Sequence, residues 1–295
     1  MSQNIMSQLS LFSNELVLAT TNNEDGKHTS SATPIKQELV AKVFKLNIEI
    51  IFNILRKHNH LDKRYQYFDL NAGIELIDNK NGAMSFLKSI AEHRRRNSHL
   101  LKFRAILIDN NELNLSNLRE KINEFIETFK SDTEKQYFRK AIKMYNEDHQ
   151  VVMEKWLKVP YNKEYVYGML YHDPFGEPSF DLLEKFSHLY SRIDILLNCN
   201  CCQVKRDLKN KVCKNELRLQ EHIDNIDKKY LVCSTELLSC WQFWLMIFTN
   251  WNKYPKQKGI NVTQYDKGTF ESLMTKANFT KKEIKDNAIS INFRD

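Results

Sequence analysis

The chain has 295 residues, 42% of them hydrophobic, and a net charge of +7 at neutral pH. No apolar run approaches the ~20 residues of a membrane-spanning helix. Residues 1–15 lack the basic and apolar regions of a signal peptide. We therefore expect a cytoplasmic protein with no membrane partner. The positive charge allows a polyanionic partner such as nucleic acid.

The first 32 residues are polar, rich in Ser, Thr and Asn, and without sustained periodicity. They predict a disordered N-terminal tail. Thr33 and Pro34 then supply a helix cap and a first helical residue. Because no long Pro/Gly/Ser linker follows, residues 33–295 are predicted to form a single domain.

Short β-like runs alternate with longer amphipathic runs through the middle of the chain. The predicted strands cover residues 64–70, 103–109, 141–146, 165–173, 192–199 and 228–234. The predicted helices cover residues 84–93, 115–131, 150–158, 178–190 and 215–227, and residues 240–251 form a last strand or a buried helix. This alternation predicts an α/β fold: a doubly wound, mainly parallel Rossmann-like sheet with helices on both faces.

Acids and amides follow the predicted strands. The strand ends carry Asp69 with Asn71, Ala72 and Gly73, then Asp109, Asp148, Asp173 with Pro174, and Asn198. Ligands of doubly wound sheets bind beyond the carboxyl ends of the strands, so this concentration indicates a ligand site. Each acid taken alone could equally be a solvated carboxylate or a helix cap.

The first two strand ends are typical of a site for a nucleoside-containing cofactor. Gly73 would let the backbone pass close to a ligand. A carboxylate in the place of Asp109 typically accepts hydrogen bonds from ribose hydroxyls, and Glu112 is an equally placed alternative. No G-x-G-x-x-G string occurs in the chain, which argues against a dinucleotide.

Three segments resemble motifs of class I S-adenosylmethionine-dependent methyltransferases. YFDLNAGIE (67–75) resembles the first motif, YNEDHQVVMEKWL (145–157) the third-strand segment, and YHDPFGEPSFDLL (171–183) the fourth-strand motif. Together with residues 228–251, they resemble more narrowly the three-Cys-motif partner family, over about residues 34–275. The resemblance implies a methyltransferase-type sheet, S-adenosylmethionine as cofactor and work beside a protein partner.

The resemblance also implies roles for individual residues. Asp69, Asn71, Ala72, Gly73, Asp109 and Asp148 would hold the cofactor, and Asp173, Pro174 and Phe175 would form the reaction edge. Asp173 would position the acceptor. Two departures stand out: Glu75 replaces the second glycine of the first motif, and Phe175 precedes Gly176, which shifts the ring relative to a D-P-P-Y string.

Two further groups are candidate substrate contacts. Arg94, Arg95 and Arg96 are expected near the ligand edge, where they could hold phosphates. A solvated basic helix end explains the same residues equally well. Asn250 is the polar residue of the apolar segment FTNW. No metal site is predicted, because the cysteines of NCNCC lack C-x-x-C spacing.

Three functions are compatible with these residues. The first is transfer of a methyl group from S-adenosylmethionine to a nucleic-acid or other polyanionic substrate. The second is a non-catalytic Rossmann-like binding module with a decayed cofactor pocket, working with a partner protein. The third is a metal-dependent nuclease.

Overall fold

The computed structural model describes residues 33–57, 64–73, 81–97, 100–159, 166–174, 178–200, 219–234, 243–250 and 262–266. Its helices are α1 (Thr33–Lys57), α2 (Gly82–Arg96), α3 (Glu112–Glu127), α4 (Asp132–Ala141), α5 (His149–Lys158), α6 (Phe180–Leu189) and α7 (Leu219–Asn225). Its strands are β1 (Arg64–Asp69), β2 (Lys102–Asp109), β3 (Ile142–Asn146), β4 (Tyr167–His172), β5 (Ile193–Asn200), β6 (Tyr230–Ser234), β7 (Phe243–Thr249) and β8 (Val262–Asp266).

The strands form one eight-stranded sheet in the order β3-β2-β1-β4-β5-β7-β6-β8. The pairs β2/β3, β1/β2, β1/β4 and β4/β5 are parallel, as predicted. The sheet is nevertheless mixed, because β7 runs antiparallel to both β5 and β6, and β8 runs antiparallel to β6. Residues 235–242 are fewer than the dozen or so that a parallel crossover needs, so β6 and β7 must pair antiparallel.

Most predicted elements are confirmed with boundaries shifted by a few residues. Residues 243–249 are a strand, which settles the ambiguity of the apolar segment. The predictions missed α4 and β8. The helix α4 is short and polar and buries only Phe138 and Ala141, so its apolar periodicity is weak.

Side chains alternate between the two faces of the sheet, and each face carries its own helices. The first face packs against α1–α4 and receives side chains such as Tyr67, Leu107 and Leu196. The second face packs against α5–α7 and receives their sequence neighbours, such as Phe68 and Leu197. The inner parallel strands β1, β2, β4 and β5 are buried on both sides, which explains why they are largely apolar, whereas the edge strand β3 is partly exposed.

No helix in the described ranges is both long enough and apolar enough to cross a membrane. The predicted disordered tail, residues 1–32, lies outside the described residues.

Gly168 gives a test of the pairing between β1 and β4. Its φ is +153°, and a Cβ atom there would lie 1.8 Å from the carbonyl oxygen of Gln66 on β1. Because backbone cannot yield as a flexible side chain can, we expect Gly168→Ala to lower the free energy of unfolding by about 3 kcal/mol or more. Urea unfolding would measure this. Glu120→Ala, at an exposed position of α3, is the control and should stay within about 0.5 kcal/mol of the unchanged protein.

Candidate functional site

Three carboxylates meet at one edge of the sheet. Asp69 ends β1, Asp109 ends β2 and Asp173 follows β4. Because β1 pairs with β2 on one side and β4 on the other, the carboxyl ends of β1 and β4 form a topological switch point, where doubly wound sheets bind ligands. The three residues continue the alternation of the first face. The negative charges of Asp173 and Asp109 both raise the pKa of Asp69, after the larger effect of burial.

Asp69 is 1% exposed and lies deepest of the three. The Tyr67 hydroxyl donates to its Oδ2 atom at 2.8 Å, and the Asn71 amide donates to Oδ1 at 3.3 Å. Burial outweighs these two hydrogen bonds and raises the pKa of Asp69 to about 7. The group therefore changes between neutral and ionised near neutral pH.

The loop of residues 70–73, which we call the first loop, is fixed on three sides. Leu70 N–H donates to the Tyr171 carbonyl on β4 at 3.0 Å, and Ala72 N–H donates to the Ile108 carbonyl on β2 at 2.9 Å. The Asn81 side chain donates to the Ala72 carbonyl at 2.9 Å and accepts from Met84 N–H at 2.7 Å. Asn81 therefore caps α2 and ties the start of this helix to the loop.

Asp109 closes the far side of the first loop. Its Oδ2 atom accepts from Gly73 N–H at 2.9 Å, its Oδ1 accepts from Asn111 N–H at 2.8 Å, and the Asn114 side chain adds a third hydrogen bond. A Cβ on Gly73 would lie 2.7 Å from Oδ2, so only glycine fits this contact. Burial, the largest effect, still raises the pKa of Asp109.

Three side-chain donors hold Asp173 on the first face. Lys36 Nζ, from the start of α1, and the Tyr171 hydroxyl each lie 2.9 Å from its Oδ2 atom. The Asn198 side-chain amide donates to Oδ1. Burial acts to raise the pKa of Asp173, but the Lys36 charge and these hydrogen bonds together hold it below its usual range. Asp173 is therefore ionised at neutral pH.

Asn198 leaves one polar atom unsatisfied beside Asp173. The residue is 1% exposed, and its Oδ1 atom is buried with no hydrogen-bond partner. The carboxylate needs a donor, so it fixes the amide with Nδ2 towards Asp173 and leaves Oδ1 without a donor. A buried acceptor without a donor costs about 1–3 kcal/mol, and such atoms occur at functional sites.

Gly82, the first residue of α2, lies against this edge. A Cβ atom there would come within 2.3 Å of the Tyr171 ring and 3.2 Å of Asp69 Oδ2. Glycine therefore lets the start of α2 approach both strands. The helix start and the two carboxylate-bearing strand ends are packed together as a unit.

The remaining predicted cofactor and catalytic residues have different surroundings. Asp148 is exposed and accepts from Gln150 N–H at 2.8 Å, so it caps α5. This is the helix-cap alternative that was open for each strand-end acid. Pro174 is half-buried directly after Asp173. Phe175 and Glu75 lie outside the described residues. Their predicted roles stay predictions.

The arginine cluster does not lie near the strand-end site, so its expected position was wrong. The helix α2 starts beside Asp69 and runs to the opposite edge, where Arg94 donates to the Leu101 carbonyl just before β2. Arg94 also pairs with Glu134 at 2.9 Å and lies 4.1 Å from the Tyr137 ring. It is 4% exposed and anchors α2 to α4.

The other two arginines are exposed, and one of them is paired. Arg96 lies 3.2 Å from Glu49 Oε1 on α1, and Arg95 points away from the core on the last turn of α2. Both share the opposite edge of the sheet with Arg94. They fit the alternative interpretation of a basic helix end, whose charge suits the helix dipole.

Asn250 also lies at the opposite edge. Its Nδ2 donates to the Ser191 carbonyl at 2.7 Å, and its Oδ1 accepts from Lys229 N–H at 2.9 Å. It therefore joins the end of β7 to the starts of β5 and β6. The structure does not bring it together with the three carboxylates.

Sequence reasoning missed several residues of this site. They are the hydrogen-bond partners Lys36, Tyr67, Asn81 and Tyr171, whereas Asn198 was expected as a strand-end amide without an assigned partner. A signal for the tyrosines was present, because both Asp69 and Asp173 end a Tyr-x-Asp string. Residues two apart on a strand share a face, so each tyrosine can reach the acid that follows it. Among the described residues, no group of three His, Cys, Asp or Glu side chains is placed to hold a metal ion.

Lys36 gives a test of the buried charge pair. Replacing Lys36, which is 3% exposed, with Met would leave the Asp173 carboxylate without its counter-charge. We expect Lys36→Met to lower the free energy of unfolding at pH 7 by about 3 kcal/mol, measured by urea unfolding. Lys42→Met is the matched control, because Lys42 forms a much more exposed pair with Glu38, nearly two turns further along the same helix. Equal losses in the two variants would contradict the assigned pairing.

Asp69 gives a test by pH. A carboxyl group whose folded-state pKa is about 7, against a reference of 3.8, binds protons more tightly when folded, so its contribution to stability falls as pH rises through that window. Asp69→Asn removes this titration. Between pH 5 and pH 8, we expect the unchanged protein to lose about 2 kcal/mol relative to Asp69→Asn. If the stability of both proteins changes with pH in the same way, the pKa of Asp69 is not raised.

Comparison with known proteins gives structural likeness only. The sequence matches no protein-family model and no curated protein. A crystal structure of protein LPL1258 from Legionella pneumophila, of family DUF519, is 14% identical, with a TM-score of 0.38 over 71% of this chain and 85% of that one. Two structures of the METTL16 MTase domain have TM-scores of 0.35 at 12% and 13% identity, covering 70% and 83% of this chain and 66% and 92% of theirs. At these values the likeness assigns no family.

Proposed function

We propose that this protein is an S-adenosylmethionine-dependent methyltransferase whose acceptor is an amino group on a nucleic-acid or other polyanionic substrate. The observation that carries the proposal is the meeting of Asp69, Asp109 and Asp173 at the switch point of the sheet, with the unpartnered Asn198 Oδ1 beside Asp173. This edge combines the expected place for a nucleoside cofactor with acceptors for a donor group.

The residues around the first loop fit the cofactor. A carboxylate has about four acceptor positions, and three donors reach Asp109, which leaves one for a ribose hydroxyl. Gly73 keeps the backbone close to Asp109 without a side chain between them. S-Adenosylmethionine would supply an electrophilic methyl group at its sulfonium. The first loop and Asp109 would hold its methionine and ribose portions.

Asp173 and Asn198 would orient the acceptor. Asp173 is ionised and acceptor-only, with one of its about four acceptor positions remaining beside Lys36, Tyr171 and Asn198. Asn198 Oδ1 is a second acceptor within the same cluster. An amino group brings two N–H donors and suits this pair, whereas a hydroxyl brings one. The contribution of these residues would be positioning, which lowers the barrier through proximity and alignment.

The proposed partners rest on less. The net charge of +7 supports a polyanionic substrate. The arginine cluster and Asn250 lie at the opposite edge of the sheet and add nothing to the strand-end site. The three-Cys-motif partner resemblance, with its protein partner and its cytoplasmic location, stays a prediction from the sequence motifs. The nuclease alternative has magnesium-dependent strand cleavage as its test.

One observation favours a second candidate, the non-catalytic binding module. Asp173 already receives Lys36, Tyr171 and Asn198, so its carboxylate is bound within the protein before any substrate arrives. A carboxylate with a purely structural role would have the same contacts. The two candidates differ in whether methyl transfer follows cofactor binding.

Calorimetry with S-adenosylmethionine tests the cofactor site. We expect binding to the unchanged protein and at least about tenfold weaker binding to Asp109→Asn, because the amide removes the charge that accepts the ribose hydroxyl. Asp132→Asn, in the first turn of α4 and 92% exposed at its side chain, is the matched control and should bind like the unchanged protein. Absence of binding at millimolar cofactor would overturn the methyltransferase proposal.

Transfer of labelled methyl groups to DNA, RNA and protein tests the reaction. We expect label on one nucleic-acid class, and about 100-fold slower transfer by Asp173→Asn, since misplacing the acceptor by about 1 Å costs that much. Cofactor binding without label on any substrate would favour the binding module instead. Asp132→Asn again serves as the control.

A further inference from the structure

His172 lies on the second face, between the first loop and the end of the loop that follows β4, and has no role in the proposed chemistry. It directly precedes Asp173, but its side chain points to the opposite face of the sheet because strand side chains alternate. The imidazole is 0% exposed. It makes one hydrogen bond through each ring nitrogen, and each bond reaches a different loop.

The first of these bonds reaches the first loop. His172 Nδ1 lies 2.8 Å from Asn71 Oδ1. The second bond reaches the far end of the loop that follows β4, because Ser179 N–H donates to His172 Nε2 at 3.2 Å. Ser179 directly precedes α6, so its amide is among the donors that a helix start leaves without partners.

The two contacts assign one tautomer to the ring. A backbone amide can only donate, so Nε2 must be the acceptor and Nδ1 must carry the proton that goes to Asn71 Oδ1. This is the neutral form. Burial, the largest effect, lowers the pKa of His172 to about 3, so the same tautomer persists across the physiological range.

A second histidine supports the far end of this connection. His149, the first residue of α5, lies with Nε2 2.8 Å from Ser179 Oγ, and its ring centroid is 5.4 Å from that of His172. Ser179 makes no side-chain cap to its own helix. Its hydroxyl and amide are thus both directed at histidines.

We propose that His172 is a positioning residue that holds the first loop and the end of the loop after β4 in one fixed arrangement. It would act through Asn71 on the cofactor and through Ser179 on the acceptor, without touching either molecule. This inference rests on the proposed function for its catalytic consequence. The mechanical link between the two loops follows from the hydrogen bonds alone.

Two substitutions at His172 each remove one of its two hydrogen bonds and keep the other. An Asn side chain ends near the Nδ1 position of histidine, so His172→Asn keeps a donor for Asn71 and loses the acceptor for Ser179. A Gln side chain ends near the Nε2 position, so His172→Gln keeps the acceptor for Ser179 and loses the donor for Asn71. Asn71→Ala removes the same hydrogen bond as His172→Gln. Asn71 is half-buried and lies outside the core, so this substitution does not disturb core packing.

Amide hydrogen exchange on the full chain measures, without any ligand, the connection that His172 makes between the first loop and Ser179. We expect His172→Gln and Asn71→Ala to speed exchange at least about tenfold in residues 70–73 only, and His172→Asn to do so at Ser179 only. His188→Asn, at a 57% exposed histidine of α6, is the matched control. Equal changes in both loops for both His172 variants, or none in either, would overturn the proposal.

Cofactor and acceptor measurements then test the catalytic consequence. His172→Gln and Asn71→Ala should weaken S-adenosylmethionine binding at least tenfold and leave the acceptor KM within threefold. His172→Asn should show the reverse pattern. If the unchanged protein binds no cofactor, the proposed function fails while the exchange pattern still decides the link. If cofactor binds but the two variants shift both constants alike, the positioning role fails and the methyltransferase stands.

Should the His172 variants fail to fold, Asn71→Ala alone keeps the proposal testable. Its expected result is faster exchange in residues 70–73 with Ser179 unchanged. A thermal unfolding midpoint measured beside each exchange experiment separates local opening from general loss of stability. Unchanged exchange in residues 70–73 would overturn the link.

Discussion

The parallel pairing of β1 with β4 is the constraint on which the site depends. In this register Asp69 lies opposite Tyr171, so Asp173 lies two residues further along the same face. The first loop then leaves β1 with Leu70 bonded to the Tyr171 carbonyl. The polar groups that contact Asp69, Asp173 and the first loop take their positions from this pair of strands, because each either continues one of them or reaches across to one.

Burial distributes charge unequally among the three acids. Asp69 and Asp109 have no cationic partner among the contacts that fix them, so burial raises their pKa values. Asp173 has Lys36, which lowers its pKa below the usual range. One edge of the sheet therefore combines two acids whose pKa is raised with one whose pKa is lowered. Such divergence is common at sites that bind or convert a ligand.

The sequence was a good guide to elements and to strand ends, because both follow from local patterns. Asp69, Gly73, Asp109 and Asp173 were predicted from their places after apolar runs, and the structure brings all four to one edge. Partners from distant segments could not be predicted. Lys36 reaches Asp173 across 137 positions of the chain, and neither local periodicity nor composition encodes that contact.

The expected positions of Arg94 and Asn250 were wrong for a similar reason, because local sequence patterns do not encode the path of the backbone. Arg94 lies on the helix that follows the first loop, but the turns between Gly82 and Arg94 carry it ~18 Å along the helix axis, to the other edge of the sheet. Asn250 was judged by its polarity within an apolar run, whereas the antiparallel direction of β7 decides where that run ends. The direction in which each helix or strand runs, rather than separation in sequence, determined which polar residues meet.

The close fit of Gly82 against Tyr171 has a consequence for how this edge can change over evolutionary time. Any larger residue at position 82 would push aside the ring that donates to Asp173. The two positions therefore cannot vary independently. In related sequences, a side chain at 82 should be accompanied by a smaller residue at 171, and with it the loss of that hydroxyl. Position 82, which carries no chemistry itself, would then mark which relatives retain the acceptor geometry.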